Sequence, residues 1–224
     1  MGKIKIIETK DGSHSLYHED LDETYHSGHG AYTESQFVFI DKGLNYLLER
    51  KQPSKLTILE IGFGTGLNAI LTIVKAMELK QEITFISLEP FPLSDELIQS
   101  LNYKKFLPEK VHAHFDEIHL APWEEEVQIL PNFTLKKLKL GLENFTTSSA
   151  IDLVYFDAFA PSKQPEMWTV DYLKKTVDVM GENSLFVTYC AQGQFRRNLI
   201  SLGLEAEKTP GPPGKREMVR AVKW

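Results

Sequence analysis

Cysteine is all but missing from this 224-residue chain: Cys190 stands alone. An internal disulfide is thereby excluded, and a reducing compartment is expected. No apolar run is long enough to span a bilayer. The N-terminal MGKIKIIETKDG lacks the hydrophobic stretch of a signal peptide, so a cytoplasmic protein is expected. Internal repeats and low-complexity tracts are also lacking. Basic residues are in deficit, 25 Lys and Arg against 31 Asp and Glu, for a net charge of −6. That balance argues against a general nucleic-acid-coating protein. Convincing metal-ligand spacings are missing too. His26 and His29 form H-x-x-H, and His112, His114 and His119 cluster, but neither set has a thiolate or carboxylate partner at ligand spacing. Surface or packing roles are expected for these histidines, and no metal.

What is there centres on residues 56–68, LTILEIGFGTGLN. Leu56, Ile58, Leu59 and Ile61 make an apolar run that ends in Gly62-Phe63-Gly64-Thr65-Gly66. Leu67, Ile70, Leu71, Val74 and Met77 then recur at helical spacing. This predicts a buried strand, a glycine turn and an amphipathic helix. Glycines allow positive φ and let backbone approach a ligand, and the first helical turn offers free N–H groups. A dinucleotide fingerprint would place its third glycine at position 67, which is Leu. The E-x-G-x-G-x-G form, with Glu60 in front, resembles motif I of class I methyltransferases, which bind S-adenosylmethionine. A tight turn with no ligand is the alternative.

Further β/α units flank this one. Residues 4–7 and 15–18 bracket an Asp-Gly turn and predict a hairpin. The polar stretch DLDETYHSGHGAYTES reads as a loop, and Ile40, Gly43, Leu44, Leu47 and Leu48 have helical spacing. Residues 83–88 predict a second strand, ending in Glu89. A carboxylate 23 residues after Gly66 suits a nucleoside, since it accepts both ribose hydroxyl protons. Phe91 packs on an adenine or in the core. Residues 94–96 begin a helix, and 133–140 predict a strand with Glu143 beyond it. Residues 151–156 form the next apolar strand, followed by Asp157 beside a Pro-rich loop carrying Phe159 and Trp168. A carboxylate among aromatics at the carboxyl edge of a sheet is costly without a partner or function; an Asp capping the next turn is the alternative. Helices over 169–180 and 194–202 and strands over 184–190, 204–209 and 217–222 complete an alternating α/β pattern with a parallel sheet. Residues 191–224 hold seven basic and three acidic side chains, a local +4 that suits phosphate or a solvated sheet end.

The blocks ESQFVFI, LEIGFGTGLN, SLEPFPL, DAFAPSKQPEMWT, AQGQFRRNL and PGPPGKREM run along nearly the whole chain. Together they resemble the methyltransferase module of the MnmC-type tRNA wobble-uridine modification enzymes. Ala158 stands where that family usually has glycine, and Leu142-Glu143 where it has Gly-Asp. The resemblance implies an α/β, Rossmann-like class I S-adenosylmethionine-dependent methyltransferase with a small N-terminal β-hairpin extension. The division expected is 1–34 for hairpin and loop and 35–224 for the methyltransferase domain. It implies methylation of the exocyclic amine of 5-aminomethyl-(2-thio)uridine in tRNA, without the oxidoreductase module of bifunctional members. A separate tRNA-modifying enzyme would supply the substrate. Asp157 is the candidate catalytic base. Glu60, Gly62, Phe63, Gly64, Thr65, Gly66, Asn68, Glu89, Phe91 and Glu143 are the candidate cofactor contacts. Phe159, Lys163, Trp168, Arg196, Lys215 and Arg216 are the candidate tRNA contacts, with Arg197 beside them. A small-amine methyltransferase, an aminopropyltransferase and a non-catalytic cofactor-binding partner protein are the competing readings.

Overall fold

Strand β4 (Lys55–Ile61) lies inside the sheet and is buried on both faces, which is why it reads as an unbroken apolar run. The computed structural model describes residues 3–224. Its main sheet has eight strands in the order β10-β11-β9-β8-β4-β5-β7-β6. These are β5 (Glu82–Leu88), β6 (Glu126–Leu130), β7 (Phe133–Leu138), β8 (Ile151–Phe156), β9 (Met180–Thr188), β10 (Glu205–Pro210) and β11 (Glu217–Lys223). β7, β5, β4, β8 and β9 pair in parallel, while β6 and β11 run antiparallel to their neighbours.

Successive side chains feed opposite layers. Ile58, Phe85, Leu153 and Tyr155 face one core, and Leu59, Ile86, Val154 and Phe156 face the other. The first core is covered by α3 (Leu67–Ala76), α5 (His112–Leu120) and a long rod. That rod comprises α1 (Ala31–Ser35), a π-helical segment (Gln36–Asn45) and α2 (Tyr46–Arg50). Gly43 lets the π-helical segment press on the sheet, since a Cβ there would stand 3.1 Å from Val187 Cγ2 and 3.3 Å from Tyr155 Cε1. The second core is covered by α6 (Val170–Val179) and α7 (Gly193–Ser201). A short α4 (Asp95–Gln99) follows β5. No helix among the described residues is long and apolar enough to cross a membrane.

The N-terminal hairpin gains a third strand. β1 (Ile4–Glu8), β2 (His14–His18) and β3 (Glu23–Thr24) form a separate antiparallel sheet. Asp11, in the hairpin turn, accepts hydrogen bonds from Ser13 and from the Thr33 N–H and O–H, so it ties the hairpin to the first turn of α1. Burial opposes its charge, but these bonds prevail and hold its carboxyl at about 2. The stretch expected to be loop therefore ends in helix from Ala31. β9 starts four residues earlier than the pattern suggested.

Candidate functional site

β4 has β5 on one side and β8 on the other, so the chain leaves it in opposite directions. This is the switch point where open α/β sheets bind ligands at their carboxyl edge. A cavity of about 580 Å³ opens there. Its floor is the glycine turn. Gly62 has φ +95°, and a Cβ on it would stand 2.8 Å from the Asp157 carbonyl oxygen. Glycine at this position lets the ends of β4 and β8 meet. Gly64 donates its N–H to Glu89 Oε2 at 3.0 Å, and Phe91 donates its N–H to Glu89 Oε1 at 2.9 Å. Burial raises the Glu89 carboxyl, against the pull of those two bonds. Each Glu89 oxygen keeps a lone pair for the cavity. Phe63 and Thr65 line it too; Thr65 accepts a hydrogen bond from buried Tyr103 at 3.0 Å.

The far wall of this end holds Phe91, 71% exposed, and Glu143, which accepts a hydrogen bond from Tyr172. A carboxylate with free lone pairs, a cradle of tight backbone turns and an open aromatic face match the ribose, amino-acid and adenine parts of S-adenosylmethionine.

Around Asp157 the cavity changes character. Asn68, in the first turn of α3, donates Nδ2 to Asp157 Oδ2 at 2.8 Å. Burial pushes the Asp157 carboxyl up to about 7; the Asn68 bond opposes that, the Glu34 charge reinforces it, and Lys215 opposes it. Glu34, buried in α1, accepts Lys215 Nζ at 2.6 Å and the Ser27 N–H at 2.7 Å. Lys215 Nζ also sits 4.0 Å from the Tyr189 ring centroid, and Tyr189 donates its O–H to the Ala158 carbonyl. Tyr25 packs edge-on to Phe159, ring centroids 5.0 Å apart, and lies over Gly64.

The cavity thus gathers Gly62, Phe63, Gly64, Thr65, Asn68, Glu89, Phe91, Glu143, Asp157, Phe159 and Lys215. Other candidates lie elsewhere. Glu60 is fully buried beneath the strand ends and bonds Ser87. Gly66, at φ +71°, is the left-handed residue that starts α3; a Cβ there would lie 2.9 Å from His119. Trp168 is a core residue, its indole N–H satisfied by the Phe159 carbonyl and its ring packed on Phe156 and Phe195. Arg196 is spent on the Ala206 carbonyl, and Lys163 pairs with Asp22 outside the cavity. Arg216 is exposed beyond the cavity lining.

Sequence reasoning missed Tyr25, Glu34, Tyr172 and Tyr189, which tertiary folding delivers. His26 is likewise no surface residue. It is buried against Ser15 at the cavity wall, and burial lowers its imidazole to about 4. His119 is packed between Phe63 and Phe115, and burial lowers it to about 3. Among the described residues no cluster of three or more His, Cys, Asp or Glu is placed to hold a metal.

Residues 104–224 match a family described as S-adenosyl-L-methionine-dependent methyltransferase. The tRNA 5-methylaminomethyl-2-thiouridine biosynthesis bifunctional protein MnmC of Hydrogenovibrio crunogenus is 32% identical over 212 residues, 88% of this chain and 31% of that protein. The chain spans about a third of the length of the curated relatives it matches. Among solved structures, MNMC2 from Aquifex aeolicus aligns with a TM-score of 0.82 at 28% identity, covering 99% of this chain and 70% of that one. Spermidine synthase from Thermotoga maritima aligns at 0.57 with 12% identity, covering 98% and 68%, a likeness of fold alone.

Proposed function

The chain belongs to this family of S-adenosyl-L-methionine-dependent methyltransferases, and from that membership we propose that it methylates the primary amine of 5-aminomethyl-(2-thio)uridine at the wobble position of tRNA. S-adenosylmethionine is the cofactor of the family, and when bound it supplies an electrophilic methyl group on a sulfonium. Glu89 would hold the ribose hydroxyls, the backbone of Gly62–Thr65 the amino-acid part, and Phe91 and Glu143 the adenine.

The observation that carries the substrate reading is Asp157. An aliphatic ammonium has no lone pair and must lose a proton before it is a nucleophile. Asp157 Oδ2 is engaged by Asn68, which leaves Oδ1 for that proton. A carboxyl raised to about 7 is a far better base than an ordinary aspartate, yet is still ionised near neutrality. The approaching ammonium stabilises the carboxylate, so binding itself prepares the base. Orientation at Oδ1 points the freed lone pair along one line, and such alignment supplies a large share of rate acceleration. Tyr25 and Phe159 wall the pocket with aromatic faces suited to an everted base. In this reading Lys215 at the cavity, exposed Arg216 and Arg197, and Lys163 outside the cavity would meet tRNA phosphates. The tRNA would arrive already bearing the aminomethyl group, installed by a separate enzyme.

Transfer of labelled methyl from S-adenosylmethionine to tRNA bearing 5-aminomethyluridine tests the proposal, with unmodified transcript as control. Label confined to the 5-methylaminomethyl nucleoside is the expected result. No label, with cofactor bound, overturns the substrate reading.

A further inference from the structure

Glu143 is exposed, yet its side chain is not free. It stands in a single 3₁₀ turn, Leu142–Asn144, beyond β7 at the cavity. The carboxylate folds back over Gly141, where a Cβ would overlap both of its oxygens. Tyr172, in the first turn of α6, donates its O–H to Oε2, and Asn144 Nδ2 donates to Oε1 at 3.3 Å. Lys175, one turn further along α6, donates Nζ to the Glu143 carbonyl at 3.1 Å. The helix thus grips the turn by side chain and by backbone. A phenol bonded to a carboxylate is a charge-assisted pair. The Tyr172 bond lowers the Glu143 carboxyl, while burial and the same bond raise the Tyr172 hydroxyl. The acid therefore stays ionised and the phenol stays a donor.

We propose that Gly141 and Tyr172 are positioning residues that hold the Glu143 carboxylate as a fixed acceptor for the amino group of the cofactor's adenine, so that the site selects adenine over hypoxanthine. The inference rests on placing the adenine between Phe91 and Glu143. A glutamate reaches one methylene farther than the aspartate usual here in the family. Gly141 gives it room to double back, and Tyr172 supplies the bond that keeps it there. Gly141 has φ −84°, which any residue adopts, so what position 141 requires is the missing side chain and not an unusual backbone. Each carboxylate oxygen keeps a lone pair beside its present bond. An ionised carboxylate only accepts, so it suits the N–H₂ of adenine and opposes the carbonyl oxygen that hypoxanthine carries at the same place. Phe91 on the same wall offers a ring face that any purine can stack on, so the choice of base falls to Glu143.

Calorimetric titration of the full chain with S-adenosylhomocysteine and with its deaminated analogue, S-inosylhomocysteine, tests this without tRNA or turnover. The parent is expected to bind the adenine form about 10- to 100-fold tighter. Tyr172→Phe and Gly141→Ala are each expected to cut that ratio at least about fivefold. Gly141→Ala should do so with an unchanged urea midpoint, since the carboxylate is the far end of a flexible side chain and can swing away. Glu143→Gln, whose amide can donate to the hypoxanthine carbonyl, is expected to bring the two affinities together. A parent that binds both forms alike overturns the proposal. So do folded Tyr172→Phe and Gly141→Ala variants that keep the parental ratio, which is what purely structural roles would give. A parent that binds neither form overturns the adenine placement itself, which keeps the two failures apart.

Discussion

At the residue scale, Asp157 makes opposite demands on activity and stability. Its folded carboxyl sits at about 7 against 3.8 for an ordinary aspartate. Between those values the native state keeps a proton that the unfolded chain has lost. The native state is therefore favoured most below pH 3.8, loses that advantage as pH rises to about 7, and regains none above it. Activity runs the other way: only the ionised form accepts the ammonium proton, so kcat/KM falls below about pH 7. Asp157→Asn removes both effects. Turnover is expected to drop about 10²- to 10⁴-fold with cofactor affinity retained by calorimetry. Thermal melts should show the variant gaining on the parent between pH 4 and pH 7, with a constant margin above. A margin that ignores pH would mean burial does not raise Asp157. The comparison is made at each pH, because His26 and His119, held neutral by burial, destabilise both proteins in acid.

At the scale of elements, the joint between β4 and β8 is the sensitive one. Gly62 is at φ +95° with the Asp157 carbonyl oxygen 2.8 Å from where a Cβ would be, so Gly62→Ala meets both backbone strain and a collision that backbone cannot evade. The expected result is a stability loss of about 1–3 kcal/mol in urea denaturation. Asp157 would be displaced from Asn68, visible as lost turnover exceeding any loss of cofactor affinity. The strand, turn and helix around Gly62 were legible because their signals are local: an apolar run, glycines, then a 3.6-residue period. β3 and β6 were not. Both are short, β3 holds only Glu23 and Thr24, β6 begins in a run of glutamates, and their strand character comes from pairing with β2 and β7. The helix from Ala31 was hidden for a related reason, since its first turn is held by Asp11, which accepts from Thr33 across 22 residues of sequence and is remote in local pattern. Trp168 read as a site aromatic because nothing in its sequence neighbours reveals that Phe159 takes its N–H.

At the scale of the whole molecule, the site is closed by segments far apart in the sequence. The glycine turn, Glu89 and Asp157 lie at strand ends that the sequence pattern marks, so that half of the cavity was readable. Glu34, Tyr189 and Lys215 come from α1, the end of β9 and the loop between β10 and β11, and only the folded sheet brings them together. Their contact is held by an ion pair at 2.6 Å between residues 181 positions apart, with Glu34 buried and Lys215 about a third exposed. A surface pair would contribute little, but removing one partner of a buried charge leaves the other desolvated and uncompensated. Lys215→Met keeps the aliphatic stem near Tyr189 and strands Glu34 with only the Ser27 N–H. Discounted for the exposure of Lys215, a loss of about 1–3 kcal/mol is expected from the shift in urea midpoint. Adding Glu34→Gln removes the stranded charge, so the double variant should recover more than half of that loss. Equal midpoints for single and double variants would show that the charge pair is not what fastens the C-terminal loop to α1, and closure would then rest on the fit of Gly214 against His29, where a Cβ has no room.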